Sequence, residues 1–182
     1  MQPSHELHAP SPWVVRWSPL IRPGSEVLDL ACGTGRHARF LAARGCSVLA
    51  VDRDAEAIAM LAAVAGVFTR TADLEGAAWP FAPSSFDAVV VANYLHRPLF
   101  GPIVDALRPG GVLVYETFMV GNERFGRPSN PHFLLRPGEL LEAVQGPLEV
   151  VAFEQGEVGT PRPAVVQRIC ALKGAAGHAK IG

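Results

Sequence analysis

Five polar side chains stand at or near the ends of five apolar runs in this 182-residue chain. Asp29 ends the run that begins at Val27, and Asp52 ends the second. Asp73 closes Val67–Asp73, Asn93 falls near the end of Phe86–Tyr94, and Glu116 near the end of Val112–Phe118. A single polar group at a strand terminus is usually just solvated. Five in series have a use if the runs are parallel strands, because an open parallel sheet binds ligands at the carboxyl ends of its strands. Acids gathered there accept hydrogen bonds from hydroxyls, attract cations and repel phosphate.

The elements that must position these groups begin with Val27–Asp52, VLDLACGTGRHARFLAARGCSVLAVD. It reads as strand, glycine turn, helix and strand, one βαβ unit. Gly33 and Gly35 allow backbone angles that residues with a Cβ adopt poorly, and leave room for a ligand against the backbone. Alone, a Gly-x-Gly turn also fits a tight connection with no ligand. The neighbouring carboxylates choose between ligands. A dinucleotide would bring pyrophosphate to the turn and the helix N-terminus, where Asp29 repels it. S-adenosylmethionine has no phosphate and carries an ammonium and a sulfonium. Asp52 suits the hydroxyls of ribose in either ligand.

The segments VLDLACGTGRHARFLA, LAVDRD, TADLEGAAWPF, SFDAVVVANYLH and LRPGGVLVYETF together resemble the class I S-adenosylmethionine-dependent methyltransferases, over nearly the whole chain. The GTGR turn and short length look closest to small members related to the tellurite-resistance type. The resemblance implies a doubly wound α/β fold: a mostly parallel seven-stranded sheet with an antiparallel C-terminal strand. It implies cofactor contacts at Asp29, Ala31, Cys32, Gly33, Gly35, Asp52, Arg53, Asp73, Leu74, Asn93 and Tyr94. In it Asp29 and the Ala31–Gly35 loop hold the methionine part, Asp52 the ribose, and Asp73 with Leu74 the adenine, while Asn93 and Tyr94 border the transferable methyl. The family usually has glycine where this chain has Ala31. Asn93-Tyr94-Leu95-His96 also departs from the Asn-Pro-Pro-Tyr pattern of enzymes that methylate amide or base nitrogens.

Length and pattern predict a single domain, 1–182, with an N-terminal cap segment at 1–24 and a frayed tail at 174–182. Trp13 and Trp17 share a helical face within Ser11–Leu20, which either lies over the cofactor mouth or packs into the core. Helices are expected from about Arg36 to Gly45, from an Asp54 cap to Gly66, over Pro98–Leu107 and over Arg136–Val144, with a turn at Arg108–Gly111. Leu148–Glu157 and Ala164–Lys173 read as an antiparallel pair.

Net charge is −1, with Lys+Arg 16 against Asp+Glu 17 and no basic run, so nothing favours capture of nucleic acid. No apolar run is long enough for a membrane span, and MQPSHELHAP is unlike a signal peptide. Cys32, Cys46 and Cys170 lack metal-ligand spacing and suit a reducing cytosol. No metal is expected. The expected partner is a small-molecule methyl acceptor, with the chain a monomer or homodimer.

His96 reads either as a general base, since imidazole titrates near neutrality, or as a cap of the following helix. Glu116 is a second base, or a carboxylate paired with an arginine such as Arg97 or Arg124. Arg97 and Arg124 alternatively grip an acidic substrate, with Phe125 beside them. These last two lie in the long loop Met119–Leu135, which overhangs the crevice and reads as a substrate lid. His37 reads as a solvated helix residue. Two other functions compete: an NAD(P)-dependent oxidoreductase on a similar sheet, and a non-catalytic partner subunit with a methyltransferase fold.

Overall fold

A computed structural model describes residues 9–174. The tail beyond Gly174 and most of MQPSHELHAP lie outside the described residues. Seven strands form one sheet: β1 Glu26–Leu30, β2 Ser47–Asp52, β3 Val67–Thr71, β4 Phe86–Ala92, β5 Leu107–Phe118, β6 Leu148–Val158 and β7 Ala164–Lys173. Their order is β3-β2-β1-β4-β5-β7-β6. The five strands β3 to β5 run parallel, and β7 is antiparallel to both its neighbours. The sheet is the expected doubly wound one.

Alternation along the strands splits the core in two. Val27, Ala88, Val90, Val112, Val114 and Cys170 face one way. There they meet the helices α1 Pro12–Trp17, α2 Arg36–Ala43 and α3 Ala55–Ala59. Leu28, Val89, Val91, Leu113, Tyr115 and Ile169 face the other way, toward α4 Phe100–Ala106 and α5 Glu139–Val144. Among the described residues no helix is long and apolar enough to cross a membrane.

Of the two readings of the N-terminal helix, packing into the core holds, and three other expectations shift. Trp13 and Trp17 meet edge to face at 5.6 Å and are buried on the sheet, and the Trp13 indole donates to the Ile169 carbonyl at 3.2 Å. Helix α3 stops at Ala59, well short of Gly66. Asp54 caps it as expected, through the amides of Glu56 and Ala57, but Leu61 turns inward to full burial against Gly35 and Arg39 takes the Met60 carbonyl. Arg108–Gly111 is not a turn between elements. Leu107 already pairs with Phe86, and Ala88 pairs with Val112, so those four residues bulge opposite Asp87 alone. His37 is buried, and its Nε2 accepts the Ser11 amide at 3.1 Å.

Candidate active site

Strands β3 and β4 stop at Thr71 and Ala92, so Asp73 and Asn93 sit in the loops just past the sheet edge. There the strand ends line an open cavity of about 400 Å³. Ala31 follows β1, Asp52 and Arg53 close β2, Asp73 to Glu75 follow β3, and Asn93 to Leu95 follow β4. Thr117 and Phe118 end β5, and Pro128 and Phe133 come down from the long loop.

The turn that opens the cavity is held by its acids. Asp52 Oδ2 accepts the Gly33 amide at 2.8 Å, and Oδ1 accepts the Asp54 amide at 3.0 Å. Backbone φ is positive at Ala31 (54°), Gly33 (53°), Gly35 (75°) and Asn93 (57°). Asp73 Oδ1 takes the amides of Gly76 and Glu75, both at 3.0 Å, and these bonds hold its carboxyl below the usual range. Tyr94 is fixed from behind by the Tyr115 hydroxyl, which donates to its carbonyl at 2.9 Å. Its own hydroxyl is buried with no hydrogen-bond partner, and burial followed by the Glu75 carboxylate raises its pKa.

Asp29, Cys32 and Gly35 are buried behind this wall, and half-buried Gly33 stands beside it with open space next to its Cα. Asp29 is 1% exposed and one carboxylate oxygen has no partner. Burial pushes its pKa up to about 7, against the opposing pull of the Ala38 amide. Cys32 is buried and its thiol is pushed up by desolvation, so it is held as the thiol.

Residues 27–111, from β1 into β5, match the family described as methyltransferase domain. A demethylmenaquinone methyltransferase of Beutenbergia cavernae is 38% identical over an alignment covering 53% of this chain and 42% of that protein. The chain thus spans less than half the length of this curated relative. The sheet order seen here also recurs in solved structures. An S-adenosylmethionine-dependent methyltransferase of Methanosarcina mazei superposes with a TM-score of 0.70 at 19% identity, covering 91% of this chain and 99% of that one. TehB of Haemophilus influenzae gives 0.72 at 21% identity, covering 88% and 61%. Over residues 27–111 the chain is thus similar to methyltransferase domains, and its fold is that of solved S-adenosylmethionine-dependent methyltransferases.

The site fits the cofactor named for those solved structures, S-adenosylmethionine, on its own chemistry. The cavity is within the ordinary size of a small-molecule site. A Cβ on Gly33 would meet nothing within 4 Å, so the turn leaves open backbone. The turn amide that a phosphate would need already belongs to Asp52. Both Asp52 oxygens keep a lone pair for hydroxyl donors.

The expected acceptor-side residues lie elsewhere. Glu116 is on the Trp13 face of the sheet, with Arg168 Nε at 3.3 Å, and does not line the cavity. Arg97 donates to both Glu139 oxygens, at 2.6 and 3.1 Å, and to the carbonyls of His132 and Leu134. Arg124 bonds the Gly121 carbonyl, reaches Glu157 at 3.4 Å and stacks on Phe125, which is 40% exposed. Half-buried His96 precedes the short 3-10 turn Arg97–Leu99, and its charge is felt by Asp73, though it is not in the wall. Glu75, Thr117, Phe118 and Phe133 are in the wall and were not singled out by sequence.

Proposed function

We propose that this protein is a methyltransferase that transfers the sulfonium methyl of S-adenosylmethionine in line to a nucleophile on a small-molecule acceptor. The observation that carries the reading is Asp52. It occupies the glycine turn's amide and still faces the cavity, which favours ribose and disfavours a pyrophosphate. The cofactor supplies a good leaving group and an electrophilic carbon. The chain supplies alignment, which in well-oriented systems is worth up to roughly 7–11 kcal/mol of barrier.

In this reading Asp52 and Arg53 hold the ribose and Asp73 with Leu74 the adenine. Ala31 and the turn behind it, with Asp29, take the methionine part, and Asn93 and Tyr94 border the methyl. Of the two candidate bases His96 is preferred, since it directly follows the wall residues Asn93 to Leu95, whereas Glu116 pairs with Arg168. The cavity size of about 400 Å³ and the lack of a basic run support a small acceptor over a nucleic acid.

Calorimetry with S-adenosylhomocysteine tests this. Binding is expected in the wild type, weakened about 10- to 100-fold in Asp52→Ala, with no heat from NADH. Binding of NADH instead, or of neither, would sink the reading. A metabolite extract incubated with isotopically labelled methyl donor then identifies the acceptor.

A further inference from the structure

We infer that the acceptor is an uncharged, predominantly apolar molecule with an aromatic ring, received between Phe118 and Phe133 at the β5 end of the cavity. The inference rests on the cofactor reading above and names the substrate class of the same site.

The cavity wall is divided by strand order. On the β2 and β3 side it carries Asp52, Arg53, Asp73 and Glu75, the polar set that suits adenosine. On the β4 and β5 side it carries Leu95, Phe118, Pro128 and Phe133, with the uncharged polar groups Asn93, Tyr94 and Thr117. Arg53 is the single cation among the lining residues, and it stands in the adenosine half beside three carboxylates. An anionic acceptor would therefore enter a wall of formal charge −2 with no cationic side chain at its own end, where the cofactor's sulfonium, which donates no hydrogen bond, is the one positive group. Desolvating a carboxylate or phosphate there without a partner is costly.

The arginines nearby do not supply one. Arg97 has four of its N–H donors committed to Glu139, His132 and Leu134. Arg124 is turned to Gly121, Glu157 and Phe125, and Arg136 to Glu139 and Glu142. Arg127, next to Pro128, is exposed and outside the wall. In their place the long loop offers a ring. Phe133 lines the cavity yet is 50% exposed, so apolar surface faces the opening on the side where the acceptor must enter. Burial against an apolar ligand is the favourable fate for such a group.

The experiment uses the purified chain, labelled methyl donor and matched acceptor pairs. These are 4-propylphenol against 3-(4-hydroxyphenyl)propionate, phenylmethanethiol against 4-(mercaptomethyl)benzoate, and 4-propylaniline against 3-(4-aminophenyl)propionate. Neutral members are expected to be favoured at least about tenfold in kcat/KM. Phe133→Ala is expected to raise KM for the best neutral acceptor about tenfold with S-adenosylhomocysteine affinity unchanged, and Phe133→Leu to recover part of the loss. Equal or better turnover of the acids, or no labelling of any neutral member while S-adenosylhomocysteine still binds, overturns the inference. So does a Phe133→Ala variant with unaltered KM. Loss of S-adenosylhomocysteine binding in the wild type is a different failure, that of the cofactor reading itself, and takes this inference with it.

Discussion

Ala31 holds a left-handed backbone at the β1 edge of the cavity, φ 54°, with a methyl group where glycine would have none. That conformation costs an L-residue roughly 1–2 kcal/mol, while glycine adds roughly 0.5–1 kcal/mol of unfolded-chain entropy. Ala31→Gly should therefore be neutral to about 1 kcal/mol stabilising in urea unfolding, with cofactor affinity equal or higher. A loss of stability beyond about 1 kcal/mol would show instead that the methyl packs something essential. At this scale the acids that end apolar runs were readable: Asp52 and Asp73 face the cavity because a strand must stop where its ligand begins. Glu116 was readable as a position and not as a direction. Both faces of β5 are buried, so alternation alone does not say whether Glu116 or Thr117 points to the crevice; the register with Arg168 on β7 decides it. Arg97 finds Glu139 42 residues away, beyond the reach of any local pattern.

The loop 119–135 is an element tied at several points. Its ends are joined by Val120 donating to Leu135 and Leu135 donating to Phe118. Asn122, buried, bonds Pro128 and the Val165 amide. Arg97 then holds the carbonyls of His132 and Leu134 against Glu139, whose side chain is 6% exposed. Arg97→Ala leaves that carboxylate mainly with Arg136, which is itself exposed. Breaking a buried pair costs about 3–5 kcal/mol; with Arg97 partly exposed, solvent screening reduces this to about 1–3 kcal/mol. The variant should melt earlier and be cut faster by trypsin at Arg124, with S-adenosylhomocysteine affinity unchanged. Undiminished protease protection would mean the other ties suffice. Elements with strong local signals were legible: the βαβ unit, the Asp54 cap, the closing strand pair. The length of α3 and the Arg108–Gly111 bulge were not, since Leu61 packing on Gly35 and Phe86 pairing with Leu107 are long-range facts.

Across the whole molecule, two buried groups at the start of α2 set opposing pH dependences. Asp29 bonds the Ala38 amide, and His37 beside it bonds the Ser11 amide, so both join α2 to the rest of the fold. Burial raises Asp29 from 3.8 to about 7 and, with Arg36 adding to it, lowers His37 from 6.5 to about 3. A raised folded pKa gives stability that is complete below pH 3.8 and lost as pH climbs to about 7. A depressed one gives stability that is complete above pH 6.5 and lost as pH falls toward 3. Between about pH 4 and 6.5 the two slopes oppose, each at most about 1.4 kcal/mol per pH unit. Differences from wild type isolate them, because every other titrating group cancels. The stability of Asp29→Asn relative to wild type should rise with pH across this window. That of His37→Gln, whose amide oxygen can still accept from Ser11, should fall with pH. Chemical denaturation at half-unit pH steps checks both, and two differences that stay flat would place neither group's titration in the folding equilibrium.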